Sequence, residues 1–134
     1  MNYIDCVGLI VVKDRKLLLA FSNNKQAWYL PGGKADAGET PVAALQRELM
    51  EELNISPAAD TLHWYYYIEA PAFGEKNILM KQHCFMHDLQ LTPQPSAEIG
   101  AIRYFSRDAY QQEEHQVKGV LLAFDKLLQD GLVD

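Results

Sequence analysis

Residues 33–55 read GKADAGETPVAALQRELMEELNI, and this stretch decides both fold and chemistry. Glu39 stands six residues after Gly33; Arg47 and Glu48 follow, and after two intervening residues come Glu51 and Glu52. Pro41 suits the first turn of a helix, where a missing N–H costs nothing. Ala44, Leu45, Leu49 and Leu53 then recur as one apolar stripe. Asn54, at ease in a left-handed stop, ends the helix, with Pro57 beyond it. Successive helical residues turn by about 100°, so Glu48 lies beside Glu51 and Glu52, three and four positions on. Like charges so placed repel by up to roughly 0.5 kcal/mol per pair. A divalent cation reverses the sign, because Mg²⁺ takes hard carboxylate and water oxygens. Gly32 and Gly33 let the backbone turn tightly and approach a ligand, and the Gly32 carbonyl is a candidate further oxygen donor. Arg47, pointing away from Glu48, is placed to reach Glu51 or Glu39 and orient it by charge-assisted hydrogen bonds.

With Ile55, these residues match the 23-residue signature of the Nudix hydrolases, G-x5-E-x7-R-E-U-x-E-E-x-G-U, at Gly33, Glu39, Arg47, Glu48, Leu49, Glu51, Glu52 and Ile55. Asn54 stands where that family usually has Gly, and both residues enter the left-handed region. Leu30-Pro31-Gly32-Gly33 also resembles the family's approach to the motif. The resemblance implies an α/β/α sandwich around a mixed sheet, and hydrolysis of a nucleoside diphosphate linked to another group. It further implies Mg²⁺, with Mn²⁺ as the alternative ion; metals polarise phosphoryl oxygens and the attacking water. Carried over, Glu48, Glu51, Glu52 and the Gly32 carbonyl are metal ligands, Glu48 alternatively the general base. Arg47 and Glu39 are the orienting pair, and Gly33 supports the turn. Glu98, just before a predicted strand, stands where several family members carry a later Glu that reaches the metals or the water; a surface Glu at the strand entrance is the other reading. A homodimer is the assembly that the resemblance suggests.

Outward from the motif, strands are predicted at residues 7–12 and 16–21, joined by a turn at Lys13-Asp14-Arg15. Further strands are predicted at 28–30, 62–70, 80–89 and 99–105, and a closing helix at 116–129, where Val117, Val120, Leu121, Phe124, Leu127 and Leu128 form one face. The 134 residues suit a single domain, 1–134, and 49% hydrophobic side chains suffice for one core. A net charge of −6, from 12 basic and 18 acidic residues, argues against binding a nucleic-acid backbone. It does not argue against a small nucleotide bridged by divalent cations. No apolar run approaches the roughly 20 residues of a membrane span, and the start lacks a secretory leader. A cytoplasmic protein with no membrane partner is expected. Cys6 and Cys84 read as two separate buried thiols.

Other features carry weaker signals. His83 and His87, on one strand, would be about 13 Å apart and cannot share an ion. Strand alternation sends Trp64 and Tyr66 to one face, Tyr65 and Tyr67 to the other; one or two of these rings could stack a base. Residues 33–38 resemble a phosphate loop superficially, but Glu39-Thr40 replaces the required Lys and hydroxyl. A (deoxy)nucleoside triphosphate is the leading substrate class. In the family that the motif resembles, a proline near this offset goes with ADP-ribose hydrolysis, so Pro71, sixteen residues after Ile55, favours by resemblance the alternative of ADP-ribose or a nucleotide sugar. A non-catalytic nucleotide-sensing domain is the alternative from another class, and intact glutamates speak against it.

Overall fold

The computed structural model describes residues 2–90 and 92–134. Met1, read with the start of the chain, and Leu91, read with the loop before residue 98, lie outside the described residues. Strand β1 (Asn2–Ile10) pairs in parallel with β7 (Ile78–Met86) along its whole length, and antiparallel with β5 (Gly32–Lys34). Strand β6 (His63–Pro71) closes this sheet in the order β5-β1-β7-β6. A second sheet is built on β3 (Lys16–Ser22), which pairs with β2 (Val12–Lys13), β4 (Ala27–Tyr29) and β8 (Ile99–Phe105). Helices α1 (Pro41–Leu53), α2 (Arg107–Tyr110) and α3 (Lys118–Gln129) complete the chain, with a 3₁₀ turn at Ala59–Thr61.

The layers follow from strand alternation. In β1 and just after it, Val7, Leu9 and Val11 join Leu45, Leu49 and Leu53 of α1 in one core. Ile10 joins Val120, Phe124 and Leu127 of α3 in another. In β3, Leu18 and Ala20 face the first core, Leu17 and Leu19 the second. Strands buried on both faces read as continuous apolar runs, and the result is the expected α/β/α sandwich on a mixed sheet.

Three sequence expectations are corrected. The first strand runs from Asn2 to Ile10 rather than from 7 to 12; its mixed start, interrupted by Asn2 and Asp5, is held by the ladder to β7. Gly32 and Gly33, read as a turn, belong to a strand opposite Gly8 and Val7. In β6 the register slips between Trp64 and Tyr66, leaving Tyr65 as an extra residue. Such a bulge shifts alternation by one, so Tyr65 and Tyr66 both pack on the α3 core, while Trp64 and Tyr67 both lie beside His83. Helix α2 had no sequence signal; the strand at 99–105 has the predicted bounds, and the remaining boundaries move by at most three residues. The turn after β2 is as read: Asp14 and Arg15 both have positive φ, 51° and 63°, as a two-residue hairpin demands.

Candidate functional site

Helix α1 presents the charged residues because both its ends are fixed. The Thr40 hydroxyl accepts from the Ala43 N–H at 3.2 Å, and Asn54 sits at φ 55°, ψ 36° with its N–H on helical carbonyls, the stop that the sequence predicts. Between them Ala44, Leu45, Leu49 and Leu53 are buried. The apolar stripe sets the helix rotation, and the rotation puts Glu48 and Glu52 against β5.

Glu52 is 8% exposed, and its Oε1 accepts from the Gly32 N–H at 3.1 Å. Burial pushes its carboxyl up to about 8, against the Gly32 hydrogen bond and with help from Glu48, Glu98 and Glu51. Glu48 is also raised, first by burial, with Arg47 opposing and Glu51 and Asp36 adding. The two glycines earn their places differently. Gly32 has φ 139°, and a Cβ there would fall 2.1 Å from the Val7 carbonyl oxygen. At Gly33 a Cβ would strike the Glu48 carboxyl at 2.7–2.9 Å.

Arg47 organises the outer side. It donates to Glu39 through Nε at 2.8 Å and Nη2 at 2.9 Å, the two-pronged geometry that fixes a carboxylate best. Nη1 reaches Glu48 at 3.1 Å and Glu51 at 3.4 Å, and Nη2 the Lys34 carbonyl at 3.1 Å. Glu39 also accepts from the Asp36 N–H at 2.8 Å, and these bonds, led by Arg47, pull its carboxyl down to about 2. The expectation that Arg47 points away from Glu48 is corrected, since a long flexible side chain bends back to its own neighbour. Asp36, 3.5 Å from Arg47, was missed, having no place in the signature.

Glu98 comes from outside α1. Its Oε2 accepts from the Ser22 hydroxyl at 3.0 Å, and it borders the same cavity as Glu52, Gly32 and Gly33. Ser22 carried no sequence signal; only the pairing of β3 with β8 brings it there. Among the described residues no three acidic, His or Cys side chains already converge as a metal cage, because Glu52 is turned to Gly32 while Glu48 and Glu51 are turned to Arg47. The donor set still fits a hard divalent cation. The oxygens are carboxylates, and the buried Glu52 is held protonated by burial and by its acidic neighbours, which nearby positive charge would relieve.

The histidines and thiols stand apart from this network. His83 Nδ1 accepts from Trp64 Nε1 at 3.0 Å, and His87 Nε2 meets Thr61 Oγ1 at 3.1 Å. Cys6 and Cys84 are both free and buried, and burial pushes them up to about 11 and about 12. Among the described residues no helix is long and apolar enough to cross a membrane.

Residues 3–123 match the NUDIX domain. A curated RNA pyrophosphohydrolase of Francisella tularensis subsp. mediasiatica is 34% identical over 64 residues, 44% of this chain and 41% of that protein. The chain thus spans less than half the length of this relative. Among solved structures, a MutT NUDIX hydrolase from Burkholderia pseudomallei aligns with TM-score 0.78 and 20% identity over 95% of this chain and 99% of that one. A bifunctional NMN adenylyltransferase/ADP ribose pyrophosphatase from Francisella tularensis, complexed with AMP and Mn ion, aligns with TM-score 0.69 and 19% identity over 97% of this chain and 42% of that one.

Proposed function

The chain belongs to the NUDIX domain family, and from that premise we propose that it is a divalent-metal-dependent hydrolase cutting the phosphoanhydride chain of a nucleoside or deoxynucleoside triphosphate. The observation that carries this reading is the buried Glu52, held on the Gly32 N–H with Glu48, Glu51 and Glu98 all raising its carboxyl. Uncompensated carboxylates are costly to gather, and a divalent cation held among them would offset that cost. In this reading Glu48, Glu51, Glu52 and the Gly32 carbonyl hold Mg²⁺, with Mn²⁺ as the alternative; the solved relative complexed with AMP and Mn ion supports that choice.

When bound, the metal polarises phosphoryl oxygens and makes water a better nucleophile. The protein supplies the rest. Arg47 anchors Glu39 on two bonds and steadies Glu48 and Glu51 on one each, which limits the reorganisation needed at the moment of reaction. In the alternative assignment Glu48, raised by burial, takes a proton from water at its carboxylate instead of holding the metal. Glu98, oriented by Ser22, supplies a further carboxylate from the opposite sheet.

Pro71 borders the cavity, which favours ADP-ribose or a nucleotide sugar as the second reading. The test is hydrolysis of triphosphates, ADP-ribose, nucleotide sugars and an RNA with a 5′-triphosphate, with and without Mg²⁺, products identified by mass. The RNA belongs in the panel because the curated relative is named an RNA pyrophosphohydrolase. Metal-dependent release of a nucleoside monophosphate from a triphosphate is the expected result. No turnover on any substrate, with metal still bound, would transfer the site to a sensing role.

A further inference from the structure

The cavity beside Glu52 has a portion that phosphate chemistry does not use. The whole cavity, its carboxylate end included, holds about 240 Å³. Beyond the carboxylates its walls are Tyr29, Phe73, Met80 and Val117. Tyr29 and Phe73 meet edge to face at 6.2 Å and form one aromatic wall. Gln82, from the middle of β7, also faces this space. It is 8% exposed, one of a few buried polar residues. Among the described residues the fully buried side-chain atoms that lack a partner are His87 Nδ1 and Arg107 Nε; the Gln82 amide makes no hydrogen bond to another described residue and opens to the cavity instead. An amide has two donors and an acceptor, which a ligand in that cavity can engage.

Gly8 leaves room for this amide, since a Cβ there would lie 2.9 Å from Gln82 Nε2; Gly119, in the first turn of α3, leaves room for Met80 of the same wall, whose Cε would be 2.9 Å from a Cβ. At the edge of the same cavity Lys25 Nζ and Glu75 Oε1 pair at 3.0 Å, tying the loop after β3 to the loop after β6.

We propose that Gln82 is the base-reading residue of this pocket, its amide pairing with the donor–acceptor edge of a nucleobase that lies against Tyr29 and Phe73 while the phosphates reach Glu52. The assignment rests on the nucleotide-hydrolase reading for its phosphate end. A side-chain amide engages a base edge through two hydrogen bonds at once, and an aromatic wall adds sequence-tolerant stacking. No protein partner fixes which end of the amide is donor. It can turn over about its last bond and serve an amino–imine or a keto–imide edge, so the pocket selects the presence of a base more strongly than its identity.

The experiment is an NMR titration in Mg²⁺ of adenosine, cytidine and guanosine 5′-monophosphates against ribose 5-phosphate, using wild type and Gln82→Met. Wild type is expected to bind each nucleotide roughly 10–100-fold tighter than ribose 5-phosphate. Gln82→Met should lose most of that margin, leave ribose 5-phosphate binding unchanged, and melt at or above the wild-type temperature. With a hydrolysed nucleotide, KM should rise far more than kcat falls. Equal binding of nucleotides and ribose 5-phosphate by wild type overturns the proposal, as does an undiminished margin in the variant. A variant that melts well below wild type makes Gln82 a structural residue and overturns it too. Binding needs no turnover: base-dependent binding without hydrolysis sinks the hydrolase reading alone, and hydrolysis without base-dependent binding sinks the role of Gln82 alone.

Discussion

Helices α1 and α3 flank the same two sheets with nearly equal lengths, 13 and 12 residues, but they are held in different ways. Helix α3 buries Val120, Ala123, Phe124 and Leu127 and has no side-chain cap; the N–H of Val117 before it donates instead to the buried Tyr110 hydroxyl at 2.8 Å. Helix α1 has an apolar stripe of the same kind, yet it adds a hydroxyl cap, a left-handed stop and a buried carboxyl, Glu52. The difference teaches what each face is for. Packing alone suffices where a helix only covers a core. A helix that must present carboxylates in one rotational phase needs its ends set, and it carries a buried acid that weakens the fold until positive charge arrives.

The sharpest test of this contrast is Phe124→Ala. Phe124 is fully buried in the α3 core, so the variant should lose about 3–5 kcal/mol of stability, read by denaturant unfolding, while its folded fraction keeps wild-type turnover per molecule. Loss of turnover beyond the unfolded fraction would break the division of labour. The reverse pattern is expected of Glu52→Gln: Mg²⁺-dependent hydrolysis falls on the order of 100-fold or more, with metal-free stability at neutral pH unchanged or higher.

The same variant isolates a pH effect. Glu52 stands at about 8 in the folded, metal-free protein against an ordinary value of 4.5. Between these values the unfolded chain is ionised and the folded one still holds the proton, so the unfolded state binds fewer protons and stability falls as pH rises. Melting temperatures of metal-free protein between pH 4.5 and 8 should therefore decline more steeply in wild type than in Glu52→Gln, and saturating Mg²⁺ should raise the wild-type value by mass action. Parallel declines would deny Glu52 its buried, protonated state.

Arg47→Lys comes next. It keeps the charge but cannot grip Glu39 with two prongs, and activity or metal affinity should drop roughly 10–100-fold, with little change in unfolding midpoint. The smallest effect belongs to the stop of α1. Asn54→Ala forces an alanine to positive φ and should cost about 1–2 kcal/mol, whereas Asn54→Gly frees the backbone but loses the Asn54 Nδ2 bond to the Gln94 carbonyl and should lie within about 0.5 kcal/mol of wild type. If α1 behaved like α3, Asn54→Ala would leave activity untouched; a fall in turnover beyond the stability loss ties the stop to the site.

Helix α1, its proline start, its stop and the spacing of Arg47, Glu48, Glu51 and Glu52 were legible from residues 33–55, because they depend on local periodicity and on side chains that act within a few positions. The layers of the sandwich were implied by the family resemblance that the same stretch carries, and the hairpin at Asp14 and Arg15 was legible from its polar turn residues. Contacts between distant segments were not. Gly32 and Gly33 look like a turn until β1 lies beside them, and their need to be glycine comes from the Val7 carbonyl and the Glu48 carboxyl. The extra residue Tyr65 re-sorted the aromatic rings, since a bulge depends on the partner strand rather than on the strand's own sequence. Ser22 met Glu98 only through the pairing of β3 with β8, and Gln82 looked like any strand residue until the cavity enclosed it.

Local order along the chain thus specified which carboxylates share a helix face, because a helix carries its geometry within itself. Which strand lies beneath that face, which acid joins from the other sheet, and which polar side chain is left facing an apolar cavity were decided by tertiary packing, because each depends on residues tens of positions apart meeting in space.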